Sequence, residues 1–322
     1  MGLEDRTGLD DKDGLVERLL AGDRRALARV ISKIEREDEE TAGIIADIYP
    51  ETGDALTVGF TGPPGVGKSS VIAKLIELYR QEDRRVGVVS VDPSSPFSKG
   101  AILGDRIRLS DHFLDTGVFI RSMGSRGHLG GLSGGSRLAA IAMEACGYDV
   151  ILYETVGVGQ GEVEVASAAD TVVLCLQPET GDSVQALKAG VMEIADIFCI
   201  NKSDNPQAKN AASEVRSILE IGHELDPDPW FSPIVMTRGD TGEGVQELKD
   251  TIQKHREFLE ADGRLGKRRR AALRDFVISW ATNRLEKEMH ERLNREDKEL
   301  VEKVYNKELD PISASEIIFK EV

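Results

Sequence analysis

Seven short, β-branched, apolar runs separated by stretches with helical spacing constrain this chain more than any other feature. They are 56-LTVGFT-61, 86-VGVVSVD-92, 118-VFIRS-122, 149-DVILYET-155, 170-DTVVLCLQ-177, 196-DIFCINK-202 and 232-SPIVMT-237. Strands that are apolar throughout, rather than alternating, need cover on both faces, and parallel strands need crossovers that helices supply. The expected core is an α/β domain over residues 55–258, a mostly parallel sheet with helices on both faces.

The flanks read differently. Residues 15–40 show apolar positions at helical spacing, broken at AGD, and 44-IIADIYP-50 continues them, so 1–54 is expected to be a helical extension. After about residue 258 strand signals stop. The segment 267–311 is helical and charged with a long apolar stripe, and a short helix, 312–322, follows Pro311. That stripe is too long to bury on itself. The arm 259–322 should therefore pack on the main domain or on a second copy of the chain. Its 267-KRRR-270 cluster reads as a solvated helix start rather than a nucleic-acid contact.

The net charge of −16 repels nucleic acid and anionic lipid, so neither is an expected partner. The same excess serves solubility or a high-salt habitat, which composition does not separate. Apolar runs all fall short of a membrane span, and the acidic start MGLEDRTGLDDKDG lacks the apolar core of a signal peptide, so the cytoplasm is expected. Cys146, Cys175 and Cys199 are widely spaced and read as small buried hydrophobes, not as a disulfide or metal set.

The stretch 62-GPPGVGKSS-70 fits G-x-x-x-x-G-K-[ST] between a strand and a helix. Its members, Gly62, Pro63, Pro64, Gly65, Val66, Gly67, Lys68, Ser69 and Ser70, are candidate phosphate-loop residues. Backbone N–H groups would turn inward around phosphate, Lys68 would reach the β/γ oxygens, and the Ser69 hydroxyl would ligate Mg²⁺. The plain alternative for Gly65 and Gly67 is a tight turn. Base identity follows from 201-NKSD-204. Asp204 can accept two hydrogen bonds from guanine N1–H and the 2-amino group, Lys202 can lay its stem over the base, and Asn201 can tie this loop to the phosphate loop. The next base-contacting loop is expected near 235-VMTRGDTGEG-244, with Thr237 and Arg238 where a small pair is usual and contact made through backbone N–H.

Three carboxylates, Asp92, Asp105 and Glu154, end or follow strands near that loop and could hold Mg²⁺ directly or through water. The metal reading is favoured for at least one of Asp92 and Glu154; 92-DPSS-95 would also make a turn with no metal. Lys68 and Glu154 are the catalytic candidates. The stretch 154-ETVGVGQGE-162 has Val158 where a Ras-like enzyme keeps a water-orienting glutamine, with Gln160 not placed by the motif. Such a site should turn over slowly until a partner completes it. Arg106, Arg108, Arg121, Arg126 and His128 could approach the γ-phosphate, though salt bridges are their commoner use.

These stretches, with 91-VDPSSPFSKGAILGDRIRL-109, 121-RSMGSRGHLGGLS-133 and 185-QALKAGVMEIADIFCINKSD-204, resemble the G-protein chaperones of methylmalonyl-CoA mutase, a family also labelled arginine/ornithine transport system kinase. LVERLLAGDRRALAR and LDPISASEI extend the resemblance over nearly the whole chain. It implies a P-loop GTPase with GTP/GDP and Mg²⁺ as cofactors, and a homodimer made by the C-terminal arm. It also implies a partner, an adenosylcobalamin-dependent acyl-CoA mutase. GTP hydrolysis would gate cobalamin delivery to that mutase and protect it, and the mutase would stimulate the GTPase. Asp92, Asp105 and Glu154 would organise the metal, and 177-QPETGDSVQALK-188 would be a mobile switch that meets the partner. The chain departs from the family at GQGE for GQSE, PETGD for G-x-G-D, and Thr237-Arg238. It has no D-x-H-x-x-G, so cobalamin is expected on the partner. Two alternatives remain: a P-loop kinase, which needs a substrate pocket and a positioned base, and a nickel-insertion GTPase, which needs Cys/His ligands near the phosphate loop.

Overall fold

The seven runs form one sheet. The computed structural model describes residues 12–92, 109–124, 134–155, 165, 167–178, 191–225, 229–295 and 298–320. Strands β1 (Leu56–Thr61), β2 (Val86–Asp92), β3 (Val118–Gly124), β4 (Val150–Thr155), β5 (Thr171–Leu176), β6 (Ile197–Ile200) and β7 (Ile234–Met236) lie in the order β3-β2-β4-β1-β5-β6-β7. Every neighbouring pair is parallel. Their carboxyl ends therefore share one rim, where open α/β sheets place ligands.

The helices are α1 (Lys12–Leu20), α2 (Arg24–Arg36), α3 (Thr41–Ile48), α4 (Lys68–Gln81), α5 (Gly134–Ala145), α6 (Ala208–Leu225), α7 (Val245–Glu260), α8 (Arg264–Arg295), α9 (Lys298–Tyr305) and α10 (Pro311–Lys320). Strand side chains alternate between faces. Val173, Cys175, Ile197 and Cys199 join Val71, Ile72 and Leu75 of α4 and Leu248 and Ile252 of α7 in one core. Leu174, Leu176, Phe198 and Ile200 face the other way, against Ala208 and Val215 of α6. Each fully buried Leu or Ile contributes about 1.5–3 kcal/mol, so this two-sided burial is what demands apolar residues at successive positions.

The AGD break separates α1 from α2 as expected, and the reason is local. Gly22 turns with φ +84°, and Asp23 caps α2 by accepting from the backbone N–H of Arg25 and Ala26. The apolar stripe Leu27, Val30, Ile31 and Ile34 is buried. Arg24 donates to the carbonyls of Asp115 at 3.0 Å and Val118 at 2.8 Å, tying α2 to the start of β3.

The chain divides into two compact units, Met1–Arg269 and Arg270–Val322. In the first, the KRRR cluster departs from the solvated reading. Arg268 makes a two-pronged pair with Asp196, both contacts at 2.8 Å. Arg269 does the same with Asp170, at 2.9 and 2.6 Å, and Arg256 adds a third contact to Asp170 at 3.0 Å. Asp170 and Asp196 stand just before β5 and β6, at the amino end of the sheet. A planar guanidinium matches a carboxylate at both oxygens, which explains the choice of arginine there. The second unit contains α9, α10 and most of α8. It leaves Val277, Ile278, Val301, Tyr305, Ile312 and Phe319 exposed. Among the described residues, no helix is long and apolar enough to cross a membrane.

Candidate functional site

The phosphate loop connects the carboxyl end of β1 to α4. Its first glycine is forced. Gly62 has φ +130°, and a Cβ there would lie 2.1 Å from the Cys175 carbonyl oxygen of β5. Gly67, at φ +92°, would put a Cβ 2.4 Å from Asn201 Nδ2. These are requirements of the fold around the loop, beyond those of a plain turn. Val66 is buried in the core beneath the loop. Pro64 and Gly65 are exposed, Pro63 partly so. Lys68 Nζ donates to the carbonyls of Gly62 at 2.7 Å and Pro63 at 3.0 Å. Lys68 and Ser69 are the first two residues of α4, where backbone N–H groups and the helix dipole favour an anion.

Glu154, next to last in β4, pairs in register with Phe60 of β1 and Ser90 of β2. Its Oε1 accepts a short hydrogen bond from the Ser69 hydroxyl, and both residues are buried. Two hard oxygens held together beside the phosphate loop suit Mg²⁺, which takes few protein ligands and keeps waters. Among the described residues no cluster of three or more His, Cys, Asp or Glu is placed to hold a metal ion. Asp92 closes β2 opposite Gly124 of β3. Asp105, Arg106, Arg108, Arg126, His128, Val158, Gln160 and residues 179–190 of the expected switch loop lie outside the described residues. Arg121 is turned away from this rim toward α2, where it pairs with Glu35 and donates to Ser32 Oγ at 3.2 Å.

The base loops converge on Asn201. Its Nδ2 donates to the Val66 carbonyl at 2.7 Å. Its Oδ1 accepts from the Gly239 N–H at 2.9 Å and from the Thr237 hydroxyl at 3.2 Å. One buried side chain thus joins the phosphate loop, the NKSD loop and the loop after β7. The Thr237 side chain is buried and also lies 3.2 Å from Cys199 Sγ, so it braces Asn201 rather than facing solvent. Lys202 takes a left-handed conformation, φ 57°, which ends β6 and directs Nζ to the Gly65 carbonyl at 3.0 Å and to Gln177 Oε1. No motif gives Gln177 this contact; only its position just past β5 points to it. Asp204 stands exposed at the mouth, with Arg238 beside it. Arg238 in turn holds the Asp240 carboxyl below the usual carboxylate range through a direct hydrogen bond. Cys175 and Cys199 are in register on β5 and β6. Contact with Cys199, then burial, pushes the Cys175 thiol up, so it is a poor nucleophile.

A family model described as methylmalonyl Co-A mutase-associated GTPase MeaB matches residues 24–294. A Pyrococcus horikoshii protein named as a GTPase is 46% identical over 96% of this chain and 98% of its own length. GTPase ArgK of Escherichia coli K12 is 35% identical over 85% of this chain and 83% of its own. The mouse methylmalonic aciduria type A homolog, mitochondrial, is 33% identical over 99% of this chain and 82% of its own. Among solved structures, one named as a LAO/AO transport system kinase is similar at TM-score 0.67 and 26% identity, covering 96% of each chain.

Proposed function

The chain belongs to the methylmalonyl-CoA mutase-associated GTPase family MeaB, and from that premise we propose that it is a GTP-driven chaperone of an adenosylcobalamin-dependent acyl-CoA mutase. GTP hydrolysis is the family's activity. The finer role is to gate cobalamin delivery to the mutase and protect it, with methylmalonyl-CoA mutase as the foremost partner. The observation that carries the reading is Asn201, whose three hydrogen bonds bind phosphate loop and base loops into a single site.

The geometry of the described residues supports a division of labour. Gly62 to Ser70 wrap the phosphates with backbone N–H groups. Lys68 exchanges the Gly62 and Pro63 carbonyls for phosphate oxygens. Asp204 reads guanine, and Lys202 flanks the base. Thr237 and Arg238 shape the last base loop. Ser69 and Glu154 would hold Mg²⁺, with Asp92 and Asp105 as the further carboxylates the sequence offers; the ion would supply charge neutralisation for phosphoryl transfer. With Val158 at the glutamine position, the site lacks a fixed water-orienting group on that motif, so turnover is slow alone and rises when the mutase docks. The exposed apolar residues of the second unit support a homodimer formed by the arm.

The test is nucleotide turnover with GTP and ATP, with and without a purified adenosylcobalamin-dependent acyl-CoA mutase. GTP hydrolysis that rises on mixing is expected. ATP-dependent phosphorylation of a small molecule, a kinase activity such as the name of one similar structure carries, would overturn the proposal.

A further inference from the structure

The surroundings of Arg238 give its side chain a task. The backbone on either side is pinned. Thr237 N donates to the Ile200 carbonyl at 2.9 Å, Ser203 N to the Thr237 carbonyl at 3.1 Å, Arg238 N to the Glu243 carbonyl at 2.8 Å and Gly242 N to the Arg238 carbonyl at 2.7 Å. The Cα of Arg238 is therefore fixed relative to the NKSD loop. Its guanidinium meets three acids, with Nη2 at 3.0 Å from Asp240, Nε at 3.6 Å from Asp204 and Nη1 at 3.9 Å from Glu243. The arginine side chain is 28% exposed, whereas those of Asp204, Asp240 and Glu243 are 58%, 67% and 72% exposed.

We propose that Arg238 is a positioning residue for base selection, its guanidinium setting the plane of the Asp204 carboxylate so that both oxygens meet the guanine donors. This rests on the reading of Asp204 as the guanine acceptor. An ordinary exposed ion pair contributes little, because two long side chains must be ordered to make it. Here Asp240 and Glu243 already restrain the guanidinium, and the ordering cost falls on Asp204 alone. The Nε atom is buried and has no hydrogen-bond partner among the described residues. A buried N–H left unmade is unfavourable, and at 3.6 Å Asp204 sits just beyond hydrogen-bond range. A guanine that draws Asp204 into its plane closes that gap, so the base contact and the Arg238 contact form together. A carboxylate without this brace samples other rotations and presents both acceptors less often.

The experiment compares GDP with IDP, which lacks the 2-amino donor, by calorimetry on the full chain. The wild type should prefer GDP. Arg238→Ala should keep the affinity that comes from phosphate while narrowing the GDP:IDP ratio by about tenfold. Arg238→Lys should recover little of it, since an ammonium lacks the guanidinium fork. Asp240→Asn, which removes one restraint on Arg238, should narrow the ratio in the same direction by less. The ratio separates this role from a general loss of folding, which weakens both nucleotides alike. An unchanged ratio in Arg238→Ala, with a collapsed ratio in Asp204→Ala, would overturn the role of Arg238 and leave the guanine reading standing. A wild type that binds GDP and IDP equally would overturn the guanine reading, and the proposal with it.

Discussion

At the scale of single residues, the phosphate loop separates groups that act on a ligand from groups that shape the loop. Lys68→Ala removes the ammonium that donates to the Gly62 and Pro63 carbonyls of the loop. GTP turnover should fall by about two orders of magnitude or more, as when a preorganised donor is lost from a transition-state site; a mutant with full turnover in a phosphate-release assay would remove Lys68 from the mechanism. Asn201→Ala is a different kind of change. It takes away three hydrogen bonds and leaves the Gly239 N–H and the Thr237 hydroxyl without their shared acceptor. The expected cost is about 1–3 kcal/mol in chemical denaturation, together with weaker GDP binding. Normal stability with lost binding would instead make Asn201 a ligand contact. The motif spacings made most of this site legible, because GxxxxGKS and NKxD carry chemistry at fixed positions. They could not show that Gly62 is also required by the Cys175 carbonyl, or that Thr237 faces inward. Those facts depend on which strands become neighbours, and β1 and β5 are far apart in sequence.

At the scale of elements, apolar runs foretold all seven strands, and misjudged ends have local causes. The run 196–202 contracts to Ile197–Ile200 because Asp196 turns to accept from the Val172 N–H and Arg268, while Lys202 adopts positive φ. The reading of KRRR as solvated missed the same aspartates, since nothing in a charge run names its partners. Arg269→Ala should therefore be far from neutral. Asp170 is nearly buried and would lose its two-pronged partner while keeping only Arg256, so destabilisation of about 3 kcal/mol is expected in urea titration. A change below about 0.5 kcal/mol would class the pair with ordinary surface ion pairs. The break before α2 carries a pH prediction. The Arg18 hydrogen bond and then the Arg25 N–H lower the Asp23 pKa from 3.8. A depressed carboxylate stabilises the fold above its unfolded pKa and loses that contribution as pH falls through the folded value. Asp23→Ala should thus cost about 1 kcal/mol at neutral pH. The gap between mutant and wild type should narrow below about pH 4; a gap that widens on acidification would contradict the cap.

At the scale of the whole molecule, the acidic surface decides what kind of self-association is available. With a net charge of −16, two copies repel, so a dimer has to be held by apolar burial rather than by charge. In the arm, Val277, Ile278, Val301, Tyr305, Ile312 and Phe319 are exposed and could supply it, and they lie beyond Asp275. The arginines that clamp Asp170 and Asp196 lie before it. A cut after Asp275 therefore removes the arm's apolar surface and preserves both ion pairs, whereas a cut at residue 265 would also take Arg268 and Arg269 away from Asp196 and Asp170. The chain 1–275 should run as a folded monomer in sizing with light scattering, and the full chain as a dimer. Because salt screens the repulsion without weakening apolar contact, the full-length dimer should persist or tighten at about 1 M NaCl. Dissociation there would point to ion pairs as the glue, and a dimeric 1–275 would move the interface out of the arm.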